Sequence, residues 1–138
     1  MQRHPESGES ILERVETYAD VALVVRHHHE RIDGEGYPDR IAGDLIPQLS
    51  KITAVADAYN AMTSDRPYRD AMPSRVARLR MAQAVESQFD TTIVAAFEAL
   101  LARATEDYRM AKRPDFYPIS VGHLGIPVGS SMSIVRVA

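Results

Sequence analysis

Three consecutive histidines, His27, His28 and His29, lie in the stretch VRHHHERIDGEGYPDR at residues 25–40, directly before a glycine-rich turn. Imidazole nitrogens bind zinc, iron, manganese and related divalent ions. Because an α-helix has about 3.6 residues per turn, adjacent helical side chains differ in direction by roughly 100°. His28 and His29 are therefore better placed to bind two ions of one cluster than to chelate a single ion. The alternative is an exposed helix end, where histidines interact favourably with the helix dipole.

Four further residues have side chains that suit metal or phosphate binding. His4 precedes Pro5 near the N-terminus, and Asp57 lies on the polar face of a predicted helix. An aspartate on such a face is more often solvated than bound to a metal. Arg66 and Arg69 lie in a polar loop, and guanidinium groups bind phosphate oxygens in bidentate fashion, although exposed arginines are usually only solvated.

Two carboxylates, those of Glu30 and Asp33, follow the histidines closely along the chain. Hydrogen bonds from a histidine ring to such acceptors fix the orientation of metal-binding histidines. The alternative is that both carboxylates simply cap and solvate the end of the helix.

Helical periodicity predicts the elements that position these residues. Pro5 favours the first turn of a helix that extends to about Val15. Asp20 is a candidate N-cap of a second helix, in which valines at helical spacing place His28 on the side that faces the core. The glycines and proline of the following stretch, at residues 34–38, end this helix with a structured loop.

Three more helices are predicted after this loop, so the body of the chain is predicted to be all-α. One begins near Pro47, and two others span residues 74–87 and 91–105. From Arg113 onward, prolines and glycines separate short β-branched runs, which favours strand or coil over helix.

The composition limits the kinds of partner that this chain can bind. Its 138 residues carry a formal net charge of −3, so there is no general attraction to nucleic acid and DNA binding is not expected. The chain has no cysteine, which excludes a disulfide framework and a thiolate zinc site. No stretch reaches the apolar length of a transmembrane helix, so we expect no membrane insertion and a cytoplasmic location.

Five motifs in order resemble those of the HD-GYP family, bacterial signalling phosphodiesterases that act on cyclic di-GMP and form a branch of the HD phosphohydrolase superfamily. The motifs are HPESG at 4–8, HHHERIDGEGYP at 27–38, DLIP at 44–47, ITAVADAYNAMTSDRPYR at 52–69 and QFD at 88–90. The resemblance implies a helical domain with a cluster of two or three metal ions and hydrolysis of a 3′–5′ phosphodiester. We therefore predict a partial HD-GYP domain at residues 1–105 and an irregular or β-like tail at residues 106–138.

The resemblance also implies roles for individual residues by their motif positions. The implied metal ligands are His4, His28, His29 and Asp57. The residues implied to contact the phosphates or to line the site are Arg66, Arg69 and Tyr37. We expect His27, Glu30 and Asp33 to surround the ligands, and no catalytic residue beyond the ligands themselves is implied. Iron or manganese is the favoured divalent ion, and zinc, nickel and magnesium are alternatives.

The first half of the family's domain, with its His-Asp doublet and a nearby lysine, has no counterpart in these residues. In a two-metal site a carboxylate bridges the ions and offsets their repulsion, and Asp57 alone would have to do so. We therefore expect weak or no hydrolysis by this chain alone. The apolar faces that the first helices would cover lead us to expect a homodimer or an HD-bearing partner segment. The alternative function is a non-catalytic module that binds a cyclic dinucleotide or a protein.

Three positions differ from the family pattern. Arg40 occupies a position where the family usually has Gly, Asn60 one where it usually has Asp, and Thr91 one where it usually has Pro. We expect these differences to affect the shape of loops more than the metal ligands.

Overall fold

The computed structural model describes residues 3–110, which form six α-helices and no β-sheet. The helices are α1 (His4–Leu12), α2 (Ala19–His27), α3 (Gln48–Thr63), α4 (Ser74–Gln83), α5 (Thr91–Arg103) and α6 (Glu106–Arg109). The prediction of an all-α fold is confirmed for this range, whereas the β-like part of the predicted tail lies outside the described residues. Within residues 3–110, no helix is both long and apolar enough to cross a bilayer.

Helices α1 and α2 pack against each other as a helical hairpin. Pro5 lies in the first turn of α1, where its missing N–H has no intrahelical partner to lose, and it is buried. Gly8 lies at the contact with α2, because a Cβ built on it would be only 2.6 Å from Val25 Cγ1. The absence of a side chain at Gly8 therefore allows the close packing of the two helices.

The main hydrophobic core lies among α3, α4 and α5. Seven buried residues form it: Val55, Tyr59, Ala77, Met81, Phe89, Val94 and Leu101. The Tyr59 hydroxyl lies 2.8 Å from Ser74 Oγ and donates to the Arg109 carbonyl at 3.1 Å, so it connects α3 to α4 and α6. The buried Ser50 hydroxyl donates to the Val24 carbonyl at 3.3 Å and thus links this helical bundle to the hairpin.

Some helix ends differ from the predicted ones. Helix α1 ends at Leu12 rather than near Val15, and α4 ends at Gln83 rather than at residue 87. Asp20 is not an N-cap, because a 3-10 turn leads directly into α2 and the helix has already begun one residue earlier. Helix α3 begins directly after a proline, as predicted.

The buried face of α2 is not the predicted one. Ala22 and His27 are buried, whereas Val21 is 48% exposed and His28 is half-buried. The valine spacing predicts a helix correctly, but it does not reveal which side of the helix packs against its neighbours. His28 therefore lines a surface cavity and does not point into the core.

Asp90 caps the N-terminus of α5. Its carboxylate accepts hydrogen bonds from the amides of Thr92 at 2.9 Å and Ile93 at 3.2 Å. Burial alone would raise the pKa of the Asp90 carboxyl, but these bonds and the charge of Lys51 hold the pKa below its usual value. Thr91 is the first residue of α5. Proline is favoured at the first position of a helix, which agrees with the Pro that the family usually has here.

Arg40 adopts a left-handed backbone conformation in the loop after α2. Its φ of 56° is uncommon for a residue with a side chain, because the Cβ comes close to the following carbonyl oxygen. The Arg40 amide donates to Glu30 Oε1 at 3.1 Å, which helps to hold this conformation. The family's usual Gly adopts the same conformation without strain.

We predict that Arg40→Gly stabilises the fold. The substitution removes the strain of a left-handed backbone conformation, roughly 1–2 kcal/mol. The greater freedom of glycine in the unfolded chain lowers the free energy of unfolding by roughly 0.5–1 kcal/mol. The net gain in the free energy of unfolding is therefore up to about 1.5 kcal/mol, measured by urea denaturation. Arg40→Ala is the matched control, because it removes the same side chain but keeps the Cβ. An equal gain in both variants would contradict the explanation by backbone strain.

Candidate metal centre

His4, His28 and His29, the histidine cluster, converge at one place on the surface. Each offers one ring nitrogen, and these three atoms lie within 4.8 Å of one another. His4 is the first residue of α1, whereas the other two directly follow the last residue of α2. The packing of the hairpin therefore brings together residues that are far apart in the sequence. The ring centroid of His4 lies 5.4 Å from that of His28 and 4.8 Å from that of His29, and the centroids of His28 and His29 are 4.1 Å apart.

Hydrogen bonds decide which ring nitrogens of the cluster are available as ligands. His28 Nδ1 lies 2.6 Å from the Val25 carbonyl, and because a carbonyl oxygen only accepts, Nδ1 carries the proton. In the neutral form of this tautomer, His28 Nε2 is the nitrogen that keeps a lone pair for a metal ion. His29 Nε2 lies 3.0 Å from His4 Nε2, so one of these two rings donates a hydrogen bond to the other.

The surroundings of His29 favour its neutral form. Burial lowers the pKa of His29 below its usual value, and the charges of His28 and His4 lower it further. The negative charge of Asp57 opposes this shift but does not cancel it. Because metal ions bind the neutral imidazole, these influences keep His29 in the form that can act as a ligand.

The Gly36-Tyr37-Pro38 turn, here the GYP turn, packs tightly against the residues that follow the histidines. Gly36 is buried, and a Cβ built on it would lie 2.5 Å from Glu30 Cα. The Tyr37 amide donates to the His29 carbonyl at 3.2 Å, and the Tyr37 ring stacks on His29 with ring centroids 4.9 Å apart. Burial, and secondarily Asp57, raises the pKa of the Tyr37 phenol, which therefore stays protonated at neutral pH.

A cavity of about 420 Å³ opens beside the histidine cluster. Its lining includes His28, His29 and Tyr37, together with Asp57 of α3. Asp57 influences the pKa of both His29 and Tyr37, so it lies close to the site. However, its carboxylate does not belong to the group of ligand atoms within 4.8 Å of one another.

Glu30 and Asp33 do not orient the histidines through hydrogen bonds in the part of the chain that the structure describes. Glu30 is buried, and its Oε1 accepts from the amides of Asp39 at 2.7 Å and Arg40 at 3.1 Å. Asp33 forms an ion pair with Arg31, with Nη2 2.5 Å from Oδ2. Glu30 thus fixes the chain after the GYP turn, and Asp33 stabilises the chain before it.

His27 does not belong to the histidine cluster. Its ring is buried, with Nδ1 3.0 Å from the Leu23 carbonyl and Nε2 3.0 Å from Asp39 Oδ2. The supporting role expected for His27 stays a prediction, and the sequence does not predict its partner Asp39. Arg26 also donates to Asp39 and lowers the pKa of its carboxyl. The only sequence signal for Asp39 is its place directly after the GYP turn.

Arg66 and Arg69 lie outside the cavity, in an exposed loop after α3. Their backbones hydrogen-bond to each other in both directions, at 2.9 and 3.0 Å, and so form a tight turn. The Arg69 guanidinium donates to the Ala61 carbonyl near the end of α3. Neither arginine lines the cavity beside the histidine cluster.

The helical fold and the order of the five sequence motifs agree with a match to a known family. The family model described as HD domain matches residues 1–93. The chain belongs to the HD-domain family. A cyclic di-GMP phosphodiesterase of Pseudomonas aeruginosa is 42% identical over 98 residues, which are 70% of this chain and 23% of that protein.

Two other relatives extend this comparison. A 3′3′-cGAMP-specific phosphodiesterase of Vibrio cholerae is 32% identical over 108 residues, which cover 78% of this chain and 24% of the relative. A cyclic di-GMP phosphodiesterase of Thermotoga maritima is 35% identical over 120 residues, which cover 83% of this chain and 32% of the relative. The predicted resemblance to HD-GYP proteins is confirmed. The chain spans about a quarter to a third of the length of these relatives.

We predict that Gly36→Ala destabilises the HD domain more than Gly43→Ala does. The new methyl group would overlap the backbone at Glu30, which cannot move as a flexible side chain would, and the cost is of order 1–3 kcal/mol. Urea denaturation measures the loss. Gly43→Ala is the control: Gly43 has a φ of 55° but nothing within 4 Å of a built Cβ, so only backbone strain acts there. An equal or smaller loss at Gly36 would contradict the close approach.

Proposed function

We propose that this HD domain is a metal-dependent phosphodiesterase module whose substrate is a cyclic dinucleotide. The observation that carries the proposal is the convergence of three imidazole nitrogens within 4.8 Å at the edge of a cavity. His4, His28 and His29 are the proposed metal ligands, and Asp57 on the cavity wall is the proposed carboxylate ligand.

The donor set suits a divalent cation. Imidazole and carboxylate ligands together accept iron, manganese and zinc, with nickel and magnesium as alternatives, and we propose iron or manganese. When bound, such a cation supplies a nucleophile by lowering the pKa of water and withdraws charge from phosphoryl oxygens. His28 supports this role because its Nδ1–H already donates to the Val25 carbonyl, which fixes the ring and directs Nε2 outward as a ligand.

Tyr37 and the two loop arginines are the proposed contacts for the substrate. Tyr37 is stacked on His29 at the cavity wall, and its protonated phenol can donate to a phosphate oxygen. Arg66 and Arg69 carry permanent positive charge and, within residues 3–110, neither forms an ion pair with a carboxylate. We propose that they bind the phosphates of a substrate that extends beyond the cavity.

The proposed substrate class rests on the relatives. Two of them are named for cyclic di-GMP and one for 3′3′-cGAMP, so the shared chemistry is a cyclic dinucleotide with two phosphodiester bonds. The proposed reaction hydrolyses a 3′–5′ phosphodiester: the oxygen of water forms a new P–O bond, the P–O bond to one ribose oxygen breaks, and that oxygen takes up a proton supplied by the water to become a hydroxyl.

We propose that activity is weak in this chain alone. The sequence contains no adjacent His-Asp pair, so Asp57 is the single carboxylate proposed as a ligand. Ile11, Val15, Tyr18 and Val21 of the hairpin region are between 46% and 67% exposed, which leaves an apolar surface uncovered. We propose that a second copy of the chain or an HD-bearing segment covers this surface.

We predict that the purified chain, incubated with Fe²⁺ or Mn²⁺ without oxygen and then desalted, retains metal and slowly hydrolyses cyclic di-GMP or 3′3′-cGAMP. Removing the metal with a chelator should abolish hydrolysis, and His28→Ala should reduce metal content by at least about tenfold, because a ligand is lost. Elemental analysis and chromatography of the nucleotide products measure both. Metal content in His28→Ala equal to that of the wild type would refute the proposed ligand set.

We predict that Arg66→Ala and Arg69→Ala weaken binding of a cyclic dinucleotide without changing metal content. Each lost charge-assisted contact to a phosphate should weaken binding by about tenfold to a hundredfold, or about 1.5–3 kcal/mol. Isothermal titration with a non-hydrolysable cyclic di-GMP analogue measures this. Arg75→Ala, on α4 and away from the cluster, is the control and should bind as the wild type does. Loss of metal from either loop variant would show that the roles are assigned wrongly.

A further inference from the structure

Arg26 contacts all three segments that meet at the histidine cluster. Its Nε and Nη2 donate to the two carboxylate oxygens of Asp39 at 2.6 and 2.7 Å. Its Nη1 donates to the Glu9 carboxylate. Glu9 belongs to α1, Arg26 to α2, and Asp39 to the chain directly after the GYP turn. One side chain therefore bridges three separate parts of the backbone.

Each of these segments supplies one part of the site. Helix α1 carries His4, the end of α2 leads to His28 and His29, and the loop carries Tyr37, which stacks on His29. A guanidinium is planar, and its donors form a rigid fork, so two carboxylates bound to it have defined relative positions. The bridge from Glu9 through Arg26 to Asp39 thus limits how far α1, α2 and the loop can move relative to one another.

The surroundings of this bridge favour a stronger interaction than that of an ordinary surface ion pair. The side chains of Glu9, Arg26 and Asp39 are 16%, 26% and 34% exposed, so all three are partly shielded from solvent, Glu9 the most. The buried His27 ring also contacts Asp39, at 3.0 Å. Asp39 therefore contacts both Arg26 and His27 of α2, and His27 directly precedes His28.

We propose that Arg26 is a positioning residue of the metal centre, which sets the geometry of the histidine cluster without touching it. This inference rests on the proposed function, because it takes the cluster to be a metal site. The bridge defines the distance between His4 and the pair at the end of α2. Helices α1 and α2 also pack closely at Gly8, and the loop that carries Tyr37 is also held by Glu30 and by the Tyr37 amide, which donates to the His29 carbonyl.

The test compares two arginines that make similar bidentate ion pairs. Arg78 on α4 binds Glu98 on α5 with Nη2 2.6 Å from Oε2, and the two side chains are 28% and 29% exposed. Neither belongs to the hairpin or to the cavity beside the cluster. Arg78→Met is therefore a control for the general cost of losing a partly shielded ion pair that connects two helices.

The experiment titrates the full chain and its variants with Co²⁺, followed by visible absorbance, and measures the free energy of unfolding of each metal-free protein. Arg26→Met should weaken Co²⁺ binding by about tenfold or more, the size seen when a residue that orients metal ligands is lost. Arg78→Met should lose comparable stability and bind Co²⁺ as the wild type does. A second variant, Asp39→Asn, keeps the shape of the side chain and should weaken Co²⁺ binding by a smaller factor.

Four outcomes decide the matter. Weaker Co²⁺ binding in Arg26→Met and Asp39→Asn, but not in Arg78→Met, supports the inference. Wild-type affinity in Arg26→Met overturns it and leaves the proposed metal site standing. If Arg26→Met does not fold, wild-type affinity in Asp39→Asn overturns it in the same way. No Co²⁺ binding by the wild-type chain, with unchanged absorbance up to millimolar Co²⁺, overturns the proposed metal site and this inference together.

Discussion

The close approach of Gly36 to the backbone of Glu30 is the constraint on which the candidate site depends. At that point the chain turns back against itself directly after α2, with no space for a side chain. The turn places Tyr37 on the His29 ring and brings the following amides to the Glu30 carboxylate. Burying a carboxylate is costly unless it accepts hydrogen bonds, and both of the amide bonds to Glu30 end on Oε1, so the position of Glu30 and the path of the loop depend on each other.

The three adjacent histidines have different surroundings although they are identical in type. His27 is buried and contacts Asp39, His28 donates to the Val25 carbonyl in the last turn of α2, and His29 stacks on an aromatic ring. These differences arise because the helix ends within the triplet, at His27, so the following two side chains leave the helical path. A run of equivalent ligands in the sequence thus becomes one supporting residue and two candidate ligands.

The sequence predicts the helical class, the start of α3 and the histidines that converge, because these depend on local spacing and on motifs. It does not predict which face of α2 is buried, since periodicity contains no information on the neighbouring helix. The contacts of Arg26 and Asp39 are equally hidden, because they connect residues 12 or more positions apart in the sequence. The sequence also does not show that the Glu30 carboxylate accepts hydrogen bonds from the amides of Asp39 and Arg40 beyond the turn, whereas its expected place around the ligands stays a prediction.

The uneven distribution of buried residues has a consequence for how the site forms. The seven-residue core belongs to α3–α5 and the segments between them, whereas Pro5 and Ala22 are the buried apolar residues of α1 and α2. Regions with few buried apolar contacts open locally at lower free energy than the rest of a domain. The hairpin that carries the histidine cluster is thus expected to exchange its amide hydrogens faster than the bundle. The bundle would then stay folded while the hairpin opens and packs against it again.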